Sequence, residues 1–445
     1  APGGRMTDRD KDRPVPAGRL RRLAGMARLA GGVAGGMLAE GERQLRAGKR
    51  PKVRDMLLTP GNARRVTREL SRMRGAAMKL GQILSMDTGD LLPRELAEIL
   101  ARLRADADAM PRQQLEAALQ GAYGKRWDPA LYDFQWQPLA AASIGQVHRI
   151  RAPDGRQAVL KIQYPGVADS IDSDVDNVAS LLRMTGLLPR QLDIEPLLVD
   201  VRAQLREEAD YLREAKFLQR FREALAHDER FVLPEVLPEL TRRTVLAMTY
   251  VAGEPIETLA LQPAEERDRV MTALIELLLT ELFSLRLVQT DPNFANYRYR
   301  ASDGVIVLLD FGATRRFRAG FVRDYGKLAA AAMAEDREGL ARAAERVGYA
   351  MGDPGSHYRE LVLDMLLLAL EPLRHPGAYD FGASDMPARL MELGQSVSGF
   401  RDFWQAPPTD AIYFHRKLGG LFMLAHRLKA RVDVATLMAA HIRTP

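Results

Sequence analysis

The sequence predicts an α+β protein in which a β-rich part is followed by a largely helical part. Three observations predict this division. Gln157–Gln163 alternates as a strand after Asp154-Gly155, a two-residue hairpin turn; residues 231–256 are rich in strand formers; and residues 265–287 have strong helical periodicity. The 445 residues are enough for two or three domain-sized units with a sizeable core.

Composition excludes several kinds of chemistry. The chain is 47% hydrophobic and 27% charged, as in globular proteins, and it has no cysteine. Disulfides, thiolate metal sites and cysteine nucleophiles are therefore excluded. The seven histidines show no metal-ligand spacing, so none is assigned to a metal. We expect the native chain to start at Met6, and no secretory signal is visible.

Positive charge is concentrated near the N-terminus. Residues 1–54 contain 14 Lys and Arg against 5 Asp and Glu, a net charge of +9, whereas the whole chain carries only +6. No aromatic residue interleaves with these basic side chains, so no nucleic-acid partner is expected. An anionic membrane surface is the favoured partner, and a solvated basic tail is the alternative.

This basic segment also contains a short apolar run with regularly spaced glycines. Residues 29–39 are far fewer than the ~20 that a spanning helix needs, so no such helix is expected. Glycines recur four residues apart, a spacing that lets helices approach closely and favours a homodimer. We interpret residues 1–54 as a membrane-proximal segment, with a glycine-weakened helix packed on the main domain as the alternative.

The candidate catalytic centre lies in residues 288–312. Asp291 and Asn296 are five residues apart, as are the Asp and Asn of a kinase catalytic loop. Asp310 begins Asp-Phe-Gly after residues 305–309, an apolar run expected to be a buried strand. Asp and Asn oxygens are hard ligands that suit Mg²⁺, and a second Asp nearby can accept a proton or orient a nucleophile. Together these features predict a magnesium–nucleotide site.

A phosphate-binding lysine is expected upstream of that centre. Lys161 lies within the apolar strand, where a lysine is costly unless it is paired. We therefore assign it to nucleotide phosphates, with a solvent-reaching edge lysine as the alternative. The segment AAASIG that begins at Ala140 takes the place of a kinase Gly-rich loop, and its alanines predict a stiffer loop with poorer backbone access to phosphates.

One helical stretch supplies candidate partners for this lysine and for Lys79, which lies in an earlier helical stretch. Residues 195–226 are predicted to form one helix, on which Glu207, Asp210 and Glu214 would share an acidic face. Such a stripe is more often a solvated face. In the earlier helical stretch, Lys79 and Gln82 are three apart and share a face; taken alone they would be an ordinary exposed patch.

The sequence after Asp-Phe-Gly argues against protein substrates. It has no Ala-Pro-Glu and no long loop, and it moves quickly into helix. A protein kinase needs that segment to hold a peptide.

With these motifs in place, the sequence resembles the UbiB/ADCK family of atypical, kinase-like ATPases that are linked to ubiquinone synthesis. The resemblance extends from about Val15 over nearly the whole chain. Its motifs are KLGQ at 79–82, AAASIGQVH at 140–148, VLKIQYPGV at 159–167, EEADYLREA at 207–215, QTDPNFAN at 289–296 and LLDFGATR at 308–315. QTDPN and a later HRKLGG look closer to the mitochondrial-type branch than to bacterial members with C-terminal membrane helices.

The resemblance implies a two-lobed protein-kinase-like fold with an added N-terminal helical extension that carries the KxGQ motif. The expected domains are the membrane-proximal segment, the KxGQ extension, the N-lobe and the helical C-lobe, at residues 1–54, 55–135, 136–255 and 256–445 respectively.

The resemblance also implies site residues. Lys161 would bind the phosphates of ATP or ADP and pair with Glu214, while Asp291 would act as the base-like carboxylate; these three form the catalytic group. Asn296 and Asp310 would hold Mg²⁺. The Gly-rich loop would be replaced by Ala140, Ala141, Ala142 and Ser143.

The family's KxGQ element would fold over the active site as a lid. Lys79 would then meet Glu208, and Gln82 would belong to the same nucleotide-binding set. Ideal-helix geometry instead favours Glu207. A further departure from ordinary kinases is Gln289-Thr290 in place of His-Arg, so the support of the catalytic Asp is expected to differ.

The resulting functional expectation is a membrane-associated, Mg²⁺-dependent ATPase that supports ubiquinone biosynthesis and acts on or gates lipophilic quinone precursors. Expected partners are ATP, a lipid or quinone-precursor ligand, an anionic membrane surface and ubiquinone-biosynthesis enzymes. The expected location is cytoplasmic and peripheral on a bacterial inner membrane. Two alternatives are a small-molecule phosphotransferase of the aminoglycoside or choline kinase type and a nucleotide-binding scaffold without turnover.

Overall fold

The structure is a computed structural model, and it describes residues 110–125, 127–184, 195–398 and 408–442 together with Arg46 and Lys79. Most of the predicted N-terminal segment and of the KxGQ extension, including Gln82, lies outside the described residues. The chain divides into two compact units. Among the described residues beyond position 109, the first comprises 110–216 and 235–250, and the second comprises 217–234 and 251–442.

Helices and strands are both well represented, which confirms the α+β prediction. The helices are α1 Arg112–Tyr123, α2 Val167–Met184, α3 Glu195–Glu208, α4 Tyr211–Ala224, α5 Ala264–Leu279, α6 Ala319–Met333, α7 Arg337–Val347, α8 His357–Ala369, α9 Met386–Ser398, α10 Thr409–Leu428 and α11 Val434–Ile442. The strands are β1 Ala140–Ala142, β2 Gly145–Arg151, β3 Gln157–Gln163, β4 Phe231–Val232, β5 Val245–Thr249, β6 Glu254–Pro255, β7 Leu287–Gln289, β8 Tyr297–Arg300, β9 Val305–Leu308, β10 Thr314–Arg316, β11 Tyr379–Asp380 and β12 Arg431–Val432.

An antiparallel sheet of order β1-β2-β3-β5 organises the first unit. Leu160 and Ile162 of β3 enter a core shared with Leu115 and Leu119 of α1, and all four are at most 1% exposed. Burial of these side chains, at about 1.5–3 kcal/mol each, holds α1 on the sheet. The sheet thereby fixes the positions of the side chains on β3, including that of Lys161.

The predicted β2–β3 hairpin is present, but its loop has five residues rather than two. Arg151 and Gln157 are the last paired residues, so positions 152–156 form the connection. Asp154 accepts a hydrogen bond from the backbone N–H of Arg156 (3.0 Å), and Gly155 adopts φ +88°. Asp-Gly is compatible with both connections, so the dipeptide locates the turn without setting the loop length.

The single helix predicted over residues 195–226 is also wrong, because the chain breaks between α3 and α4. Asp210 lies at the break, and its Oδ1 accepts hydrogen bonds from the backbone N–H groups of Leu212 (3.1 Å) and Arg213 (3.2 Å). This capping satisfies the first N–H groups of α4, which a continuous helix would have paired internally. Glu207 and Glu214 therefore lie on different helices, and the predicted common acidic face does not exist.

The second unit contains a sheet of order β4-β9-β8-β6 and the two-stranded ribbon β7-β10. The predicted buried strand is β9, in which Ile306 and Val307 are fully buried; it ends at Leu308, one residue earlier than expected. The helix predicted to reach residue 287 ends at Leu279 and continues as a π-helical turn, Thr280–Leu285. Arg286 then takes a left-handed conformation that leads directly into β7.

Helices dominate the rest of the second unit. Only eight residues separate Asp310 from the start of α6, in agreement with the absence of a long segment after Asp-Phe-Gly. In the part of the chain that the structure describes, no helix is both long and apolar enough to span a bilayer.

Candidate active site

Lys161 and Glu214 form a buried ion pair in the first unit. The Lys161 Nζ donates to both carboxylate oxygens of Glu214, at 2.8 and 3.0 Å, and the two side chains are 9% and 2% exposed. Strand β3 fixes the lysine between Val147 and Leu246, while Glu214 lies in the first turn of α4. The ammonium is also 5.3 Å from the centre of the Tyr211 ring. Burying an ammonium group costs free energy unless it is paired, and here the Glu214 carboxylate pairs with the lysine and holds it in one position.

A second buried carboxylate, Glu208 at the end of α3, joins two other predicted site residues. Lys79 donates to its Oε1, and the Ser143 hydroxyl donates to its Oε2 at 2.7 Å. Lys79 is 1% and Glu208 8% exposed. Glu208 is therefore the partner of Lys79, as the family motif implied, whereas Glu207 lies 3.7 Å from Arg213.

The alanines that replace a Gly-rich loop are in a strand, not in a loop. Ala140, Ala141 and Ala142 form β1 and pair with β2, and the turn to β2 contains Ser143 and Ile144. Their backbone groups are thus committed partly to a ladder rather than arranged around an open loop. Gly145 closes the turn against β3, where an added Cβ would lie 2.2 Å from the carbonyl oxygen of Ile162.

Asp291, Asn296 and Asp310 are brought together in the second unit. The Asn296 Nδ2 donates to the carbonyl oxygen of Asp291 at 3.3 Å, and the backbone N–H of Leu309 donates to the carbonyl oxygen of Asn296 at 3.1 Å. The chain entering Asp310 therefore runs beside Asn296. Asp310 Oδ1 accepts from the backbone N–H of Gly312 at 2.9 Å, which orients its carboxylate.

These residues fit a magnesium ion. Because the amide nitrogen of Asn296 donates to a carbonyl, its Oδ1 is the atom that remains for a cation, and Asp310 follows the residue whose backbone N–H bonds to Asn296. Within the described residues, no group of three or more His, Cys, Asp or Glu side chains is arranged to hold a metal. Mg²⁺ commonly uses one or two protein oxygens and completes its shell with water and phosphate, so two protein ligands are adequate.

Sequence reasoning missed Lys417 and Glu281, two buried residues that hydrogen-bond to residues flanking the segment that contains Asp291 and Asn296. Lys417 of α10 is 4% exposed and donates to Gln289 Oε1 at 2.9 Å and to the Tyr297 hydroxyl. Glu281, 2% exposed, accepts from the backbone N–H of Gln289 at 3.3 Å. The only sequence signals were a lysine in the HRKLGG motif and a glutamate inside an apolar helix, neither of which names its partner.

Burial changes the ionisation of this supporting pair. It raises the pKa of Glu281 to about 7, although the nearby charge of Lys417 and the hydrogen bond from Gln289 pull in the opposite direction. Burial alone would lower the pKa of Lys417, but its interactions with Tyr297 and the carboxylates of Glu281 and Asp291 outweigh it and raise the pKa above its usual value. Lys417 is therefore a buried cation at neutral pH.

Comparison with known proteins gives a consistent result. The ABC1 atypical kinase-like domain matches residues 102–344, more than half of the chain. The chain is 36% identical over 427 residues to the mitochondrial atypical kinase COQ8 of Saccharomyces cerevisiae, covering 96% of this chain and 85% of that protein. It is 37% identical over 434 residues to the mitochondrial atypical kinase COQ8B of Rattus norvegicus, covering 97% and 82%.

A solved structure shares the fold. The Rv3197–erythromycin complex from Mycobacterium tuberculosis matches with a TM-score of 0.58 at 24% identity, covering 84% of this chain and 93% of that one. The kinase-like α+β fold predicted from the motifs is thus confirmed. On the domain match and on its similarity to these relatives, the chain belongs to the UbiB/ADCK family of ABC1 atypical kinase-like proteins.

Proposed function

We propose that the protein is a Mg²⁺-dependent, atypical kinase-like ATPase that supports ubiquinone biosynthesis and acts on or gates lipophilic quinone precursors. The observation that carries this proposal is the buried Lys161–Glu214 ion pair (2.8 Å), the arrangement that kinases use to place a lysine on nucleotide phosphates. Family membership and the Asp291, Asn296 and Asp310 cluster support the same reading.

Each residue has a distinct role in the proposed mechanism. Lys161 binds the phosphates of ATP, and Glu214 prevents its ammonium from moving away when no nucleotide is present. Asn296 and Asp310 would hold Mg²⁺, which neutralises phosphate charge when bound. Asp291 orients the attacking hydroxyl or water and accepts its proton. Catalysis of phosphoryl transfer is mostly positioning and charge stabilisation, which are the roles proposed for these groups.

Two features support a non-protein substrate. The segment after Asp310 is too short to form the peptide-holding loop of protein kinases. In addition, the KxGQ lysine, Lys79, is buried against Glu208, which also binds Ser143 of the β1–β2 turn. The resemblance implies that the KxGQ element is a lid over the site, and we propose that such a lid excludes peptides; the contact of Lys79 with Glu208 supports this proposal.

The remaining proposed partners, a membrane surface, a lipid and biosynthetic enzymes, rest on the family resemblance and on the positive charge of the N-terminal segment. The basic residues in the segment 1–54 would bind an anionic membrane surface, and a quinone-precursor lipid and biosynthetic enzymes would be met there. The relatives named above are mitochondrial proteins. For this chain we propose a peripheral position on the cytoplasmic side of a bacterial inner membrane, with a homodimer as one assembly.

Hydrolysis of ATP by the purified full chain tests the proposal. Phosphate release should require Mg²⁺ and should rise with anionic vesicles that contain a quinone-precursor lipid. Asp310→Asn should reduce the rate by about 100-fold because it removes a charged ligand. The matched control is Asp303→Asn, which removes an exposed carboxylate paired with Arg300 in the β8–β9 turn and should stay within about twofold.

The outcomes separate the alternatives. Undiminished hydrolysis by Asp310→Asn would show that the site is wrongly assigned. A phosphorylated small metabolite as the product would favour a small-molecule phosphotransferase. Thermal stabilisation by nucleotide without phosphate release would favour a scaffold. Complementation of a quinone-deficient strain by the wild type, but not by Lys79 or Asp310 variants, would support the biosynthetic role.

A further inference from the structure

The two residues before Asp291 are Gln289 and Thr290, where ordinary kinases have His-Arg. The structure shows how Thr290 is held. Its backbone N–H and its hydroxyl both donate to the carbonyl oxygen of Ala313, at 3.2 and 2.8 Å, and the side chain is 3% exposed. Thr290 is thus tied to the residue that follows Asp-Phe-Gly. Gln289 is held by a different set of hydrogen bonds.

Gln289 is held from two directions by side chains of other helical segments. Glu281, in the π-helical turn, accepts from its backbone N–H, and Lys417, on α10, donates to its Oε1 at 2.9 Å. Among the residues that the structure describes, the buried Gln289 Nε2 has no hydrogen-bond partner. Within that part of the chain, Lys417 makes the one hydrogen bond of this side chain, and removing Lys417 would remove that bond.

Lys417 also reaches the other end of the catalytic loop. Its Nζ donates to the hydroxyl of Tyr297, the residue that follows Asn296 directly. The ammonium is thus bonded to the residues on either side of the segment 290–296, which contains Asp291 and Asn296. A single buried cation closes this segment like a clamp, so the distance between its two ends depends on Lys417.

The backbone of α10 approaches the same loop. Gly420 is one helical turn beyond Lys417 and on the same face, and an added Cβ there would lie 2.3 Å from Cβ of Pro292. Pro292 follows Asp291 directly. Close packing at Gly420 and hydrogen bonding at Lys417 therefore hold both sides of Asp291 against one helix.

A role in stability alone does not account for the choice of lysine. Burying an ammonium is expensive, and replacing buried ion pairs by apolar residues of similar volume is often neutral or stabilising. A methionine would fill similar space without that expense, but it could not bond Gln289 and Tyr297. The charge and the two hydrogen bonds are the features that a hydrophobic residue would lack.

We propose that Lys417 is a positioning residue that clamps the catalytic loop at Gln289 and Tyr297 and thereby holds Asp291 in its working place. The clamp takes over the support that the His-Arg pair gives in ordinary kinases. Its effect on turnover rests on the proposed ATPase function, whereas its effect on the loop itself does not.

The test compares Lys417→Met and Lys417→Arg with Lys327→Met, a control at an exposed lysine on α6 of the same unit. Two quantities are measured on the full chain: kcat and KM for MgATP hydrolysis, and amide hydrogen exchange of residues 289–297. Lys417→Met should lower kcat by about 100-fold, or roughly 2.7 kcal/mol at 1.36 kcal/mol per decade, with KM within about threefold. Exchange should accelerate in 289–297 and stay unchanged in β3.

Lys417→Arg keeps the charge and the donors and should recover at least tenfold of the lost kcat. If Lys417→Met does not fold, Tyr297→Phe carries the test, because it removes one of the two anchors and should cost about tenfold in kcat. Unchanged kcat and unchanged exchange in Lys417→Met would overturn the proposal. So would a loss of kcat accompanied by faster exchange throughout the unit, because that pattern indicates general destabilisation.

If the proposed ATPase function is wrong, the kinetic and hydrogen-exchange measurements give a different pattern of results. If the wild type hydrolyses no ATP, the ATPase assignment fails, and hydrogen exchange of the nucleotide-free protein then decides the clamp by itself. Faster exchange confined to 289–297 in Lys417→Met supports it, and unchanged exchange overturns it.

Discussion

Breaking the Lys161–Glu214 ion pair should destabilise the first unit severely, and restoring neutrality should repair stability without repairing nucleotide binding. At 2.8 Å and an effective dielectric constant of about 20, the attraction between the two charges is about 6 kcal/mol. Desolvation of both groups cancels much of it. Removing one partner, however, leaves the other buried charge without its ion-pair partner, which costs about 3–5 kcal/mol. That loss is a large part of the 5–15 kcal/mol typical of a folded domain.

The variants are Lys161→Met, Glu214→Gln and the double variant Lys161→Met/Glu214→Leu. We expect each single variant to lose about 3–5 kcal/mol and the double variant to lose at least about 2 kcal/mol less than the sum of the two. All three should lose ATP binding, because the phosphate-binding ammonium is absent or no longer held. The double variant would then recover part of the stability that the single variants lose, but it would not recover ATP binding.

Urea unfolding followed by tryptophan fluorescence measures these differences. Two of the three tryptophans, Trp127 and Trp136, lie in the first unit, so the signal reports mainly on it. The control is Arg156→Met in the same hairpin, whose ion pair with Asp154 is about half exposed, so its loss should leave the free energy of unfolding nearly unchanged. Losses below 1 kcal/mol in both single variants, or strictly additive losses in the double variant, would refute the reasoning.

Two further predictions concern other parts of the chain. Burial raises the pKa of Glu281 from 4.5 to about 7, so the folded state binds its proton more tightly, and stability falls as pH rises between those values. Glu281→Gln should therefore gain on the order of 3 kcal/mol over the wild type between pH 4.5 and 8 in urea unfolding, with the exposed Glu265→Gln as control; a constant difference would contradict this. Gly145→Ala would place a Cβ 2.2 Å from the Ile162 carbonyl oxygen and should cost about 2–3 kcal/mol in thermal unfolding. Gly121→Ala, on an open helix surface, should be neutral or stabilising, and an equal loss there would contradict the steric explanation.

The parts of the fold that local patterns determine were predicted well. Alternation along Gln157–Gln163 predicted β3 and the placement of Lys161 within it, and the apolar run before Asp310 predicted β9. The motif order also led to the correct family. These elements are specified by side chains that are neighbours in sequence, because each is a short run of apolar, strand-forming residues that is visible in the chain itself; both strands are buried along nearly their whole length.

The errors arose where a specific hydrogen-bond pairing, from a side chain or from a neighbouring strand, determines the path of the backbone. Asp210 caps α4 by accepting two backbone hydrogen bonds, and this divides a stretch whose helical periodicity seemed continuous. Three alanines that read as a loop form β1, because β2 supplies a ladder that propensity does not reveal. In both cases a specific pairing overrides the average preference of the residues.

Buried lysines link the predicted and the missed parts of the site. Among the residues that the structure describes, Lys79, Lys161 and Lys417 are buried at 1–7% exposure, and every other lysine is exposed. Each is followed by a large aliphatic residue in a short motif, KLGQ, LKIQ or RKLGG. Burying an ammonium group costs so much free energy that a buried lysine is expected to have a polar or charged partner and a role that requires its position. The same argument that identified Lys161 in an apolar strand therefore applies to Lys417, which sequence analysis treated only as a family signature. The chemistry of the residue indicates that it is paired, and only the tertiary fold identifies Gln289 and Tyr297 as its partners.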